Sequence, residues 1–116
     1  MPPLLTDEDF NGRIIRGLLL RLPELDLVRA VEIDLGSTHD RLFLARAAEE
    51  RRVLLTHDVS TMGGFAVERI EAGFPMAGMI AVQKRCPIGR AIEDILAFLV
   101  AGGIEDWTNR IEFVPL

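Results

Sequence analysis

The sequence predicts an α/β fold, a three-layer α/β/α sandwich around a five-stranded, mainly parallel sheet of Rossmann-like topology. Short β-branched and leucine-rich segments without polar alternation, such as Val53–Thr56, are typical of strands buried on both faces. Longer segments with apolar residues at helical spacing separate these strands. Because the two kinds of segment alternate along the chain, we expect parallel strands joined by right-handed helical crossovers.

Length and composition indicate one domain, residues 1–116, with a sizeable core. Apolar residues make up 49% of the chain, which suits a sheet covered on both faces. No apolar segment approaches the roughly 20 residues of a membrane helix, and the start of the chain has no basic leader, so we expect no membrane association. The single cysteine, Cys86, has no internal disulfide partner and favours a reducing, cytoplasmic setting. The net charge of −5 disfavours binding of nucleic acid through a broad, positively charged surface.

The first half of the chain is expected to contain three strands and two helices. The predicted strands are Pro3–Thr6, Leu27–Ile33 and Val53–Thr56, and the predicted helices are Phe10–Leu22 and a second that runs from Ser37 or Thr38 to Glu50. Pro23 ends the first helix, because proline lacks the amide that a helix interior needs. Ser37 or Thr38 is the expected N-cap of the second.

In the second half, Met62-Gly63-Gly64 is expected to be a flexible link into a helix over Phe65–Ala72. The remaining predicted elements are a strand at Gly78–Val82, a helix from Pro87 to Gly102 and a strand at Arg110–Val114. Alternation of apolar and polar residues in the last strand indicates an edge strand.

Carboxylates follow several of these strands. Asp7 comes directly after the first strand, Asp58 follows the third, and Asp40 begins the helix after the second. The carboxyl ends of parallel strands meet at one edge of a sheet, where α/β proteins bind ligands. Three acids from three segments at that edge predict a metal site.

Carboxylate oxygens are hard ligands that suit Mg²⁺ or Mn²⁺ better than Zn²⁺. The chain has only two histidines and one cysteine, which disfavours a zinc site. A divalent cation held by Asp7, Asp40 and Asp58 could activate a water and stabilise a departing oxygen. The chemistry best supported is metal-assisted phosphodiester hydrolysis, with one of the acids also orienting the attacking water.

Several other polar residues fall near this edge. Lys84 and Arg85 follow the fourth strand and are candidates for phosphate contacts, although a basic pair after a strand is usually a solvated turn. Ser37 and Thr56 could hydrogen-bond a phosphate, and helix capping is the plainer account. Taken singly, the acids also have ordinary roles in turns and first helical turns. His39 and His57 are assigned no catalytic role.

The chain resembles the PIN-like nucleases, in particular the short PIN-like group of toxin–antitoxin type, over most of its length. The resemblance rests on Leu5-Thr6-Asp7-Glu8-Asp9 beside the family's acidic "DEN" signature, Asp40–Ala48 beside its acid-led helix, Val53–Asp58 beside its "LLT-x-D" motif, and Gly78–Val82 beside its next buried strand. It implies a Mg²⁺- or Mn²⁺-dependent ribonuclease that acts on RNA and pairs with an inhibitory antitoxin. Apolar content beyond one small core also suggests a homodimer.

Some family features are absent, and they leave alternatives open. Val59-Ser60-Thr61-Met62 stands where the family has a second Asp and a Phe, and Glu8 is the nearest counterpart of a further metal-ligating Glu. One alternative is therefore a catalytically degenerate PIN-like domain that binds a protein. A receiver-type phospho-acceptor domain is a further alternative, ranked lower because the expected hydroxyl and lysine after the last two strands are missing.

Overall fold

The computed structural model describes residues 1–30 and 40–116 of the chain. In those ranges the elements are β1 Leu4–Thr6, α1 Gly12–Arg21, β2 Leu27–Arg29, α2 Asp40–Glu50, β3 Val53–Thr56, α3 Thr61–Glu71, β4 Met79–Val82, α4 Ile88–Val100, a 3₁₀ turn Ile104–Trp107 and β5 Ile111–Val114. This alternation confirms the predicted α/β class. None of the described helices is long and apolar enough to cross a membrane.

The described strands form one five-stranded sheet in the order β2-β1-β3-β4-β5, with every pair parallel. In the central register, Leu5 of β1 lies between Val28 of β2 and Leu54 of β3. The chain leaves β1 toward one edge of the sheet and leaves β3 toward the other. The crevice between β1 and β3 is therefore the topological switch point, where doubly wound sheets bind ligands.

Side chains of the strands alternate between two apolar clusters, one on each face of the sheet. Leu4, Val53 and Leu55 pack with α1 and α4 on the first face. Leu5 and Leu54 pack with α2 and α3 on the second face. Because both faces are covered, strands β1, β3 and β4 are fully buried and carry no polar alternation.

The hand of the crossovers is one correction. The β1–α1–β2 connection runs in one direction along the sheet, and β3–α3–β4 runs in the other direction on the opposite face, so the two share a hand. The β4–α4–β5 connection runs in the same direction as β3–α3–β4 but lies on the face of α1, so its hand is opposite. The prediction of right-handed crossovers throughout is therefore wrong, because these three connections do not all share one hand.

The physical reason is the coverage of the sheet. If all crossovers shared a hand, α4 would lie with α2 and α3, and α1 alone would cover its face. With α4 beside α1, two of the described helices cover each face. Burial of apolar strand side chains on both faces favours this arrangement.

The start of α3 is a second correction. The helix begins at Thr61, so Met62, Gly63 and Gly64 lie within its first turns and are not a flexible link. Oδ1 of Asp58 accepts a hydrogen bond of 2.9 Å from the Thr61 amide, which satisfies an amide that the helix itself cannot. The side chain of Met62 is 2% exposed and anchors this turn in the core.

Other elements differ from the prediction mainly at their ends. Phe10 lies before α1, whose N-cap is Asn11. Residues 31–33 of the predicted second strand lie outside the described residues, as do Ser37 and Thr38. The last strand is an edge strand as predicted, yet Phe113 is 49% exposed because β5 lies at the margin of the helical layers.

A buried carboxylate on α4 was not predicted. Asp94 is 8% exposed and accepts hydrogen bonds from Nε of Arg90 and from the backbone amide of Leu116. Arg90 also donates to the carbonyl of Leu116, so these two α4 side chains hold the segment after β5. Desolvation, reinforced by the negative charge of Asp94, raises the pKa of the nearby Cys86 thiol above its ordinary value, while Arg90 acts in the opposite direction.

Gly64→Ala is expected to stabilise the protein. Gly64 lies within α3, and a Cβ at this position would meet no atom within 4 Å. Removing the conformational freedom of glycine from a helix should raise the free energy of unfolding by about 0.5–1 kcal/mol, measured by urea denaturation. Gly78→Ala is the contrasting variant, since Gly78 has φ +121° and its Cβ would lie 3.0 Å from the Trp107 carbonyl oxygen. A Gly64→Ala variant that unfolds at lower urea would contradict the assignment of α3.

Alkylation of Cys86 is expected to require higher pH in the folded protein than in the unfolded chain. The reactive species is the thiolate, and the raised pKa means that a higher pH is needed to form it in the folded protein. Iodoacetamide reaction rates measured across the alkaline range, with and without urea, test this. Equal pH midpoints in the two states would contradict the raised pKa.

Candidate active site

A cavity of about 680 Å³ opens at the carboxyl edge of the sheet. Its lining residues are Asp7, Glu8, Asp9, Phe43, His57, Asp58, Val59, Ser60, Met62 and Lys84. They come from the segments that follow β1, β3 and β4 and from helices α2 and α3. The predicted convergence of Asp7 and Asp58 at this edge is therefore present in the structure.

The hydroxyl of Thr56 links the segments that carry the two acids. Thr56 is the last residue of β3 and is fully buried. Its Oγ1 donates a 2.8 Å hydrogen bond to Oδ2 of Asp7 and accepts a 3.0 Å hydrogen bond from the Asp58 amide. A buried hydroxyl requires such partners, and here both partners belong to the predicted site. Asp7 and the backbone of Asp58 are thus fixed by one side chain.

Asp58 is held at the start of α3. One of its carboxylate oxygens, Oδ1, accepts from the Thr61 amide, as described above. The other, Oδ2, has no hydrogen-bond partner in the described part of the chain. Since the amino end of a helix favours negative charge, this position suits an ionised carboxylate with one oxygen left for a ligand.

His57 contacts two segments beside its own at the cavity. Its ring stacks on Phe10 with a centroid distance of 4.4 Å and an interplanar angle of 8°. Nε2 accepts a 3.1 Å hydrogen bond from the Asn11 amide, so the ring proton lies on Nδ1, which donates to the Val82 carbonyl at 3.0 Å. The imidazole in this arrangement is the neutral Nδ1–H tautomer.

The cavity lining is rich in carboxylates. Asp7 and Asp58 are half-buried, while Glu8 and Asp9 are exposed at its rim. Lys84 is exposed and lines the cavity, and Arg85 beside it is exposed but is not part of the lining. The surplus of negative charge in this lining favours a cation over a free anion as the first ligand.

The remaining predicted site residues have different outcomes. Asp40 is the first residue of α2, and its side chain lies outside what the structure describes; Ser37 is outside the described residues altogether. Thr56 was a candidate for substrate binding, but its buried hydroxyl is engaged by Asp7 and Asp58 and is not open to a substrate. Among the side chains that the structure describes, which do not include that of Asp40, no group of three or more His, Cys, Asp or Glu is placed to hold a metal ion.

Sequence reasoning missed the contacts of His57. Its hydrogen-bond partners Asn11 and Val82 lie 46 and 25 residues away in the chain, so no local pattern reveals them. Helical spacing implied the burial of Phe43 under the cavity, whereas the burial of Met62 was missed because this residue was assigned to a flexible link.

No protein-family model, no curated protein and no solved structure matches this chain.

Thr56→Val is expected to lower the free energy of unfolding. The variant keeps the shape of the side chain but removes the donor to Asp7 and the acceptor for the Asp58 amide, at a cost of about 1–3 kcal/mol for buried groups left unpaired. Urea denaturation measures the loss. Thr61→Val is the matched control, because Thr61 is exposed and only its backbone amide bonds Asp58. Equal effects of the two substitutions would contradict the linking role of Thr56.

Proposed function

We propose that this chain is a metal-dependent endoribonuclease that hydrolyses RNA phosphodiesters and resembles the toxin of a toxin–antitoxin pair. The observation that carries the proposal is the pairing of Asp7 and Asp58 around one buried hydroxyl, in a carboxylate-rich cavity at the switch point of the sheet. Ligands of doubly wound sheets bind in this crevice.

The donor set fits Mg²⁺ or Mn²⁺. Mg²⁺ is commonly bound through one or two carboxylates, with waters and substrate phosphates completing its coordination. Asp7 and Asp58 supply two carboxylates, and the described lining contains no cysteine to favour a softer metal. Asp40 is the third ligand that the resemblance implies, and Glu8 lies at the rim as a further carboxylate.

The residues of this chain would have separate roles in the reaction. Asp7 and Asp58 would hold the cation, and one of these acids would orient the attacking water. Lys84 at the rim would contact a backbone phosphate, with Arg85 next to it meeting the RNA outside the cavity. A bound Mg²⁺ or Mn²⁺ supplies Lewis-acid stabilisation of the charge that develops on the phosphate.

Partners and location belong to the same proposal. An inhibitory protein of antitoxin type is expected because the resemblance implies one. A homodimer is proposed from the apolar composition, and the lone cysteine favours the cytoplasm.

A second candidate is a catalytically degenerate PIN-like domain that binds a protein. One observation favours it. One carboxylate oxygen of Asp58 is already occupied by the hydrogen bond from the Thr61 amide at the start of α3. Metal binding separates this candidate from the nuclease.

The receiver-type alternative has the strand order in its favour, since receivers share the order β2-β1-β3-β4-β5. However, β4 ends in Ala81-Val82, without a hydroxyl, and Pro115-Leu116 follow β5, without a lysine. We therefore place this alternative third.

Mn²⁺ titration tests the proposal directly. We expect calorimetry to detect binding to the wild-type protein and no binding to Asp7→Asn or Asp58→Asn, because a neutral amide replaces a charged ligand. Cleavage of a single-stranded RNA should require the metal and should be lost in the same variants. Glu71→Gln is the matched control, because Glu71 is an exposed acid at the far end of α3.

Circular dichroism must first show that each variant is folded. A folded wild-type protein that binds no Mn²⁺ would overturn the nuclease proposal and favour a protein-binding module. Binding without RNA cleavage would support a metal site but not the proposed substrate.

A further inference from the structure

His57 follows β3 directly and connects the segment after β1 with the end of β4. We propose that His57 is a positioning residue that holds the acidic loop Asp7–Asp9 in place beside Asp58, an inference that rests on the proposed metal site. The ring makes both of its hydrogen bonds as a neutral imidazole, and neither nitrogen is left for a substrate.

The hydrogen bond to Asn11 fixes the backbone just after the acidic loop. Asn11 is the N-cap of α1, and its side chain accepts from the Arg13 amide, so its backbone is already set by the helix. Nε2 of His57 accepts from the Asn11 amide, which joins this helix start to the end of β3. At its near end, the loop is fixed by β1 and by the Thr56 hydroxyl on Asp7.

The loop between these two points is a tight turn. The Phe10 amide donates a 3.2 Å hydrogen bond to the Asp7 carbonyl, which closes the turn over Glu8 and Asp9. The Phe10 ring is 3% exposed and lies flat against the His57 ring. His57 therefore contacts Phe10, which ends the turn, and Asn11, which follows it, so displacement of the imidazole would loosen this end of the acidic loop.

The bond to Val82 fixes the ring itself. Val82 is the last residue of β4, whose register with β5 is set by sheet pairing. Nδ1–H donates to this carbonyl, and one face of the ring stacks on Phe10. The imidazole is therefore held both by a hydrogen bond at its edge and by stacking on its face. Val82 lies two residues before Lys84. Its contact with His57 therefore also orients the segment that places the Lys84 side chain at the cavity.

A pair of substitutions separates the two hydrogen bonds. The amide nitrogen of asparagine lies close to the position of Nδ1, so His57→Asn can keep the bond to Val82 but not the bond to Asn11. The carbonyl oxygen of glutamine lies close to the position of Nε2, so His57→Gln can keep the bond to Asn11 but not the bond to Val82. Both variants lose the stacking on Phe10, which makes each the control for the other.

We expect His57→Asn to weaken Mn²⁺ binding by about 10- to 100-fold, as removal of groups that orient metal ligands does, and His57→Gln to restore most of the affinity. Calorimetry is carried out at a temperature where circular dichroism shows both variants folded. Hydrogen exchange gives a second readout, since the Asn11 amide should lose protection in His57→Asn and keep it in His57→Gln.

The outcomes are distinguishable. Wild-type affinity in His57→Asn would overturn the inference and leave the metal site intact. Equal losses of affinity and of stability in both variants would also overturn it, because a purely structural role predicts that result. A wild-type protein that binds no Mn²⁺ would overturn the proposed function and this inference with it.

Discussion

Burial of the central strands on both faces is the constraint on which the rest of the structure depends. Strands β1, β3 and β4 have no exposed face, so they carry almost no polar side chain within their length. The polar chemistry of the sheet is therefore confined to the strand ends. Because the strands are parallel, the ends that follow β1, β3 and β4 meet at one edge, and the cavity forms there.

Two buried or half-buried side chains at this edge organise the exposed ones. Thr56 holds Asp7 and the Asp58 backbone, and His57 holds the end of the acidic loop. Both residues come from the short segment in which β3 ends, which is also the central segment of the sheet. The carboxylates are thus held by residues at the end of β3. Side chains that are already ordered lose little conformational freedom when a ligand binds.

The strands and the meeting of Asp7 with Asp58 could be predicted from sequence because both follow from local patterns. An apolar segment without alternation identifies a buried strand, and an acid after it identifies the edge. The start of α3 was missed because Gly63-Gly64 indicates a flexible link. In the structure, burial of Met62 and the hydrogen bond from the Thr61 amide to Asp58 stabilise the helix from Thr61 onward. The hand of the α4 crossover could not be predicted, because it depends on how the helices share the two faces and not on any residue of the connection.

The hydrogen bond between Thr56 and Asp7 joins residues 49 positions apart in the chain. Closing a loop of that length costs entropy, and this cost is met when β1 pairs with β3, before any ligand arrives. An unfolded chain therefore has no counterpart of the cavity. A ligand of these two carboxylates binds only the native state, and by mass action its concentration adds to the stability of the whole domain.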